Sequence, residues 1–245
     1  MNESLRSAIV TGSSRGIGAA VAERLARDGF AVVVNYAGDA APAEDLVQKI
    51  EEAGGRALTQ KADVSDPAEV ARMFEAAEDR FGGVDVLVNN AGIMKLASIA
   101  QSDDKLVEQH LAINLRGVIN TLREAARRLR DGGRVINFSS SVVGLYQPTY
   151  GVYAATKAGV EALTHVFAKE LRGRGITVNA VAPGPTATHL FLDGKPQEVV
   201  DQIAKAPPLE RLGQPEDIAN VVAFLAGADG GWVNGQVLRA NGGMI

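Results

Sequence analysis

The sequence contains no cysteine. Disulfides, thiolate metal sites and thiol nucleophiles are therefore excluded, and the composition suits a reducing compartment. Histidine is scarce too. His110, His165 and His189 are far apart and form no H-x-x-x-H pair, so no metal site is expected. Charge of one sign is also lacking. Lys plus Arg number 25 and Asp plus Glu 29, a formal charge of −4. Such a balance gives no overall electrostatic reason to hold nucleic acid or an anionic membrane. No apolar run approaches the ~18 residues of a membrane-spanning helix. Even Ile218 to Ala226 is interrupted by Asn220. The opening, Met1 to Arg6, is polar, and Ala8-Ile9-Val10 stops at Thr11-Gly12. An export signal needs an apolar core of about 7–15 residues. A cytoplasmic protein is the default expectation.

What remains is an ordinary globular composition. Apolar residues make up 46% and charged residues 22% of 245, which excludes disorder. Short runs rich in Val and Ile recur: Ser7–Thr11, Ala31–Asn35, Arg56–Lys61, Val84–Val88, Arg134–Phe138, Ile176–Val181 and Gln236–Arg239. They are too short for helices and lack polar alternation, the pattern of strands buried on both faces. Helical spacing fills the gaps: Gly16–Asp28, Ala43–Ala53, Pro67–Arg80, Asp103–Arg130 as one bent helix or two, Tyr150–Arg172 and Pro215–Ala226. Repeated strand–helix alternation predicts an α/β fold: one doubly wound domain over 1–245, with a parallel sheet of about seven strands. The proline-rich stretch 183–214 has weak periodicity and reads as a substrate loop within that domain.

The first run leads into Thr11-Gly12-Ser13-Ser14-Arg15-Gly16-Ile17-Gly18 and then a helix. Gly12 lets the chain turn, Gly16 lets backbone approach a pyrophosphate, and Gly18 lets helix and strand sit close. The helix start offers free N–H groups and a positive dipole end to phosphates. The strand–turn–helix context makes this a dinucleotide site rather than a plain glycine turn. Downstream, Tyr153 and Lys157 lie four apart on one helical face. A phenol of pKa ~10 is a poor acid or base at neutral pH. A neighbouring ammonium is expected to lower that value, which makes the pair a usable proton donor for a carbonyl oxygen.

Thr-Gly with G-x-x-x-G-x-G spacing resembles the classical short-chain dehydrogenase/reductase family. Other motifs agree in order and spacing from Ser7 to about Gly243: Asn89-Asn90-Ala91-Gly92, Asn114, Ser139-Ser140-Ser141, Tyr153-Ala-Ala-Thr-Lys157 and Pro183-Gly184. The resemblance implies an oxidoreductase passing hydride between a nicotinamide and a carbonyl or alcohol, like the 3-oxoacyl-thioester reductases, and a homotetramer. The long segments Asp103–Arg130 and Tyr150–Arg172 could pair with their copies. The resemblance makes Tyr153 the proton carrier and Ser140 the group orienting the substrate oxygen. It makes Lys157 both ribose ligand and activator of the tyrosine, and Asn114 the support of a proton relay. A buried structural asparagine would look the same, and Asn120 is a weaker candidate for the role.

The cofactor loop set comprises Gly12, Ser14, Arg15, Gly16, Ile17 and Gly18. Asn90, Ala91 and Gly92 join it, then Pro183, Gly184 and either Thr186 or Thr188 near the carboxamide. Asp63, with Val64, matches the family's adenine contact or caps the next helix. NAD enzymes usually end their second strand with an acid for the ribose 2′-OH. Here that strand ends Val34-Asn35-Tyr36, and Arg15 supplies a cation, so NADP(H) is expected. Asp39 is the complication: it either turns toward the ribose or stays a solvated loop charge.

Several choices stay open. Ser141-Val142-Val143-Gly144 fits one family pattern, whereas Ser140 fits the spacing of 13 residues to Tyr153. Neighbouring residues at a strand end point to opposite sides, and strand phase favours Ser140. Tyr146 and Tyr150 are packing residues or an aromatic pocket wall. Leu145, Leu190, Phe191 and Leu192 would line an apolar pocket. His110 and His165 are expected to be partly exposed, and His189 is a candidate substrate contact. Two rival readings are an NAD-dependent sugar or polyol dehydrogenase and a non-catalytic dinucleotide-binding regulator.

Overall fold

The short Val- and Ile-rich runs become strands in the computed structural model, which describes residues 5–245. Of the polar opening, Met1–Ser4 lie outside the described residues. The strands are β1 (Ser7–Val10), β2 (Ala31–Tyr36), β3 (Arg56–Lys61), β4 (Val84–Asn89), β5 (Leu129–Phe138), β6 (Thr177–Pro183) and β7 (Val237–Ala240). They form one sheet in the order β3-β2-β1-β4-β5-β6-β7, with every neighbouring pair parallel. Most strands begin and end within two residues of the expected limits. The exception is β5, which starts already at Leu129. Asp131-Gly132-Gly133 reads as a turn, and Gly132 does take φ +79°, but the residues lie within β5 as an irregularity, the register with β4 passing from Val84–Leu129 to Val86–Arg134.

Strand side chains alternate between faces, and each face is covered. Ala8, Val10, Val32, Val34, Val86 and Val88 pack under α1 (Gly16–Arg27), α2 (Ala41–Glu52) and α10 (Pro215–Ala226). Ile9, Val33, Leu87 and Val178 pack under α3 (Pro67–Phe81), α5 (Gly117–Arg128) and α7 (Gly151–Glu170). Burial on both faces explains why these strands carry no polar alternation. No helix is long and apolar enough to cross a membrane among the described residues.

The expected segment Asp103–Arg130 consists of α4 (Asp104–His110), a π-helical turn at Leu111–Arg116, and α5. A π turn carries one extra residue per turn, and through it the helix runs on without a break from Asp104 to Arg128. The stretch 183–214 is less irregular than its periodicity suggests. It contains α8 (His189–Leu192) and α9 (Gln197–Ala204), and α6 (Val142–Leu145) follows the serine cluster. These helices are one or two turns long, too short to show a period.

Chain order reverses between β1 and β4, which are neighbours in the sheet. Connections diverge there and leave a crevice beyond the carboxyl ends of the strands. The loops 11–16 and 90–98 open into it.

Candidate active site

The first wall of the crevice is built from backbone. Gly12 has φ +60°, and a Cβ there would lie 2.8 Å from Ala91 Cα. A Cβ on Gly18 would meet Asn90 Nδ2 at 2.5 Å and the Gly12 carbonyl at 2.7 Å. Asn90 Nδ2 donates to the Thr11 and Gly12 carbonyls at 2.9 Å each. The N–H groups of Asn90 and Ala91 donate to Thr11 Oγ1 at 3.0 Å. Loops 11–16 and 90–98 are thus stapled into one surface. Gly16 opens α1 and faces Thr188 across the crevice. Arg15 is the N-cap of α1, yet no side chain caps that helix start. By contrast, Asp66 caps α3, and Gln214 with Asp217 forms a capping box on α10. Only at α1 of these three are the first N–H groups left to a ligand. Arg15 itself is exposed and Ser14 half-buried beside it.

Asn35, whose place at the end of β2 makes it a candidate cofactor contact, turns inward instead. It is buried, and its Oδ1 accepts from Gly12 N–H at 2.9 Å. Its Nδ2 donates to the Gln60 and Ala62 carbonyls at 3.1 and 3.0 Å. It supports the glycine loop from behind. No carboxylate stands at this end of β2, where the residues are Asn35 and Tyr36. Asp39 is exposed and accepts from Ala41 N–H, a loop charge at the start of α2. Asp63 does not cap α3, whose cap is Asp66. Asp63 Oδ1 instead accepts from Ser65 N–H and Oγ–H at 2.8 Å each, and its side chain is exposed. Val64 beside it is buried.

The three adjacent serines point to three different jobs. Ser139 Oγ donates to Glu161 Oε1 at 2.6 Å on α7. Ser141 is buried, donates to the Ala182 carbonyl and accepts from Asn241 Nδ2 at 3.0 Å. The Ser140 hydroxyl, which accepts from Val142 N–H at 3.4 Å, is the one of the three that bears on the Tyr153 phenol, and both line the same cavity. The helical turn of α7 carries Lys157 into the same site. Its ammonium lies 5.8 Å from the Tyr153 ring centroid and donates to the Phe138 carbonyl at 2.8 Å.

Electrostatics differ from the expected pattern in sign. Burial pushes the Tyr153 phenol up to about 12; the Ser140 hydroxyl works against this, and neighbouring Tyr150 adds to it. Burial also lowers Lys157 to about 8. A lysine so near is expected to pull the phenol down, yet desolvation is the largest influence and Lys157 is not among the groups that shift it. A phenol held up in this way keeps its proton at neutral pH, the form a donor needs.

Asn114 sits in the π turn and is completely buried. Its Oδ1 accepts from Ile93 N–H at 2.8 Å and its Nδ2 donates to the Ile93 carbonyl at 2.9 Å. It therefore fixes the 90–98 loop beside Gly92, which lies against both Asn114 and Lys157. Asn120 is further off, donating to the Val64 carbonyl. Sequence reasoning missed His110. Rather than partly exposed, it is completely buried, edge-on to Tyr153 at 6.4 Å between ring centroids. Its Nε2 accepts from Lys95 N–H at 3.2 Å, so Nδ1 carries the proton and donates to the Leu106 carbonyl at 2.8 Å. The available signal was its place one helical turn before Asn114 on the same face.

A cavity of about 350 Å³ joins these parts, lined by Ile17, Asn90, Gly92, Ser140, Tyr153 and Lys157 at its base. Pro183, Gly184, Thr186 and Thr188 line it on the other side. Thr186 is buried and donates to the Gly184 carbonyl at 3.0 Å. Thr188 caps α8, accepting from Phe191 N–H. Leu145, Tyr150, Leu190 and Phe191 line the outer part, whereas Tyr146, Leu192 and His189 do not. Tyr146 is 81% exposed at φ +50°. Among the described residues no group of three or more His, Asp or Glu could hold a metal.

A family model described as enoyl-(acyl carrier protein) reductase matches residues 12–245. A short-chain type dehydrogenase/reductase of Picea abies is 45% identical over 250 residues, covering 98% of this chain and 92% of that protein. The chain belongs to the short-chain dehydrogenase/reductase family. Another relative in it is an NADPH-dependent aldehyde reductase-like protein, chloroplastic, of Arabidopsis thaliana. It is 44% identical, covering 98% of this chain and 94% of its own. A solved short-chain dehydrogenase of Burkholderia cenocepacia, in complex with NADP, superposes with a TM-score of 0.92. It is 37% identical, and the match covers 99% of each chain. As in any dehydrogenase/reductase of this kind, the crevice must take a dinucleotide, and the residues present fit one. The loop has no side chain where a pyrophosphate would approach, and the adjoining helix start is uncapped.

Proposed function

We propose that this protein is an NADP(H)-dependent carbonyl reductase acting on ketones or aldehydes, with Asn114, Ser140, Tyr153 and Lys157 as its working residues. The observation that carries the reading is the meeting of Ser140, Tyr153 and Lys157 at the base of one cavity, with the Lys157 ammonium 5.8 Å from the Tyr153 ring centroid. Gly12, Ser14, Gly16, Ile17 and Gly18 hold the pyrophosphate side of the cofactor. Arg15 faces its 2′-phosphate, and Asp63 and Val64 its adenine. Asn90, Ala91, Gly92, Pro183, Gly184, Thr186 and Thr188 border its nicotinamide half, and Asn35 acts behind the loop. A bound nicotinamide supplies the hydride.

The chain's own residues do the rest. Ser140 Oγ–H and Tyr153 Oη–H both donate to the carbonyl oxygen and fix it. Tyr153 then gives up its proton as that oxygen turns into an alkoxide. The Lys157 ammonium stabilises the phenolate left behind. Asn114 keeps the 90–98 loop closed on the site through Ile93. A sugar dehydrogenase using NAD would need a carboxylate at the end of β2, and the residues there are Asn35 and Tyr36. The test is NADPH oxidation with a panel of aldehydes and ketones, and the same panel with NADH. Faster turnover with NADH, or none with either, would overturn the reading.

The reading includes a homotetramer. Ile119 on α5 and Val166 on α7 are exposed, which supports pairing of those helices between copies. Light scattering that showed a fully active monomer would refute this. Cytoplasmic residence is the remaining element, supported by the cysteine-free composition and tested by imaging a fluorescent fusion.

A further inference from the structure

The outer cavity carries information about the substrate that the base does not. Lys157 is the one charged residue among all that line the cavity, and it sits at the base, donating to Phe138. The outer wall is apolar, including Met94, Leu145, Leu190, Phe191 and Ile203. Three polar groups interrupt it: Gln147, Gln202 and the Tyr150 hydroxyl. None of these side chains makes a hydrogen bond within the chain among the described residues. Each can donate to a neutral acceptor on a ligand, and none can neutralise an anion. Outside the wall, Lys195 stacks on Phe191 at 4.5 Å from its ring centroid and donates to the Phe191 carbonyl. That ammonium is turned to the backbone and does not line the cavity.

Resting on the carbonyl reductase reading, we infer that the substrate is an uncharged carbonyl compound with a compact apolar body of one or two rings and a neutral polar group at its far end. The physical argument is desolvation. Gln147 and Gln202 are themselves exposed, but a carboxylate, sulfate or phosphate drawn against the apolar wall beside them would lose part of its water and find no cation, a cost that pairing normally offsets. A neutral amide or ester oxygen loses far less and can accept from Gln147, Gln202 or Tyr150. The size limit follows from the volume. About 350 Å³ has to hold both the nicotinamide ring and the substrate, at the small end of ligand pockets. Long acyl chains do not fit inside it.

Two matched compounds decide the matter: 4-formylbenzamide and 4-formylbenzoate, equal in shape and different in charge. With NADPH, kcat/KM for the amide should exceed that for the acid by at least ~100-fold, because the acid buries an unpaired charge. Gln202→Lys, which places a cation in the wall, should narrow that ratio at least ~10-fold. Equal turnover of both compounds would overturn the inference, and so would an unchanged ratio in the variant. Calorimetric binding of each compound to enzyme saturated with NADP+ separates this inference from the reading beneath it. If the amide binds, the acid does not, and neither is reduced, the carbonyl reductase reading fails while the charge selectivity stands. Binding of both equally, or of neither, refutes the selectivity itself.

Discussion

The glycine-loop end of the crevice and the stretch 183–214 face each other and are built on opposite terms. At the first, backbone groups are pinned by side-chain amides: Asn35 holds Gly12, Asn90 holds Thr11 and Gly12, and Asn114 holds Ile93. Across the crevice, short helices and turns present apolar side chains to solvent, among them Leu190 at 58% and Leu209 at 64% exposure. A cofactor that never changes is met by fixed N–H groups, which must not move. A substrate class is met by side chains, which can be exchanged without disturbing the sheet. The contrast is one of physical role: backbone geometry at one wall, surface chemistry at the other.

The sharpest break in this comparison should come where the two walls meet. Tyr153→Phe removes one hydroxyl and should depress turnover by ~10²–10⁴, the usual contribution of general acid catalysis, with NADPH affinity close to unchanged. Titration of NADPH fluorescence alongside steady-state rates checks both halves. A variant that retained its rate would remove Tyr153 from the mechanism.

Ser140→Ala should cost ~10²–10³ in kcat, as losing one donor to a developing oxyanion does. Ser141→Ala leaves Asn241 Nδ2 without its acceptor and should cost less than tenfold in rate, its effect falling on stability. The reverse ranking would transfer the role to Ser141.

Stability should divide the same way. Ile9→Ala, in the centre of β1, should destabilise by about 2–5 kcal/mol. Leu209→Ala, in the stretch across the crevice, should stay within about 0.5 kcal/mol. Denaturant melts of the two variants compare the walls directly, and equal losses would erase the distinction.

Arg15→Ala should weaken NADPH about tenfold or more, since a charge-assisted contact contributes ~1.5–3 kcal/mol, and leave NADH nearly unchanged. A parallel loss with both cofactors would mean that Arg15 shapes the loop instead of reading the phosphate.

The smallest effect is in pH. With Lys157 lowered to about 8 by burial, kcat/KM for reduction should halve near pH 8 and keep falling as the ammonium is lost. Stability moves the other way in that window. The unfolded chain holds the lysine proton more tightly between about 8 and its ordinary 10.5, so unfolding becomes harder as pH rises through it. Above pH 10 the sign reverses, because the folded chain keeps the Tyr153 proton up to about 12. Parallel activity and melting profiles against pH test both slopes.

The wall made of backbone was the more legible in sequence. Glycine at positions 12 and 18 can be read because no other residue tolerates the conformation or the contact. The Val-rich runs can be read because burial on two faces leaves no choice of residue. Spacing and alternation at a strand end favour Ser140 over its neighbours, a choice that the Ser140→Ala and Ser141→Ala pair tests. His110 escaped because a single histidine in a helical pattern carries no mark of burial. Its partners, Lys95 N–H and the Leu106 carbonyl, are main-chain groups that every residue has. The sign of the Tyr153 shift escaped for a related reason: spacing places a lysine nearby but does not tell how much water is left. The helices α8 and α9 were hidden by their length.

The π turn at Leu111–Arg116 has a consequence for how this chain tolerates change in length. An α-helix advances about 100° per residue, and a π turn amounts to one residue inserted into that advance. Deleting a single residue there would let α4 and α5 join as an unbroken α-helix. Relative to α5, His110 would then swing by about 100°. The helix would gain regularity and lose its grip on Ile93, Lys95 or both. At this point in the chain a shorter sequence would give a better helix and a worse enzyme, so deletion tolerance should be lowest where helical geometry alone would most favour it.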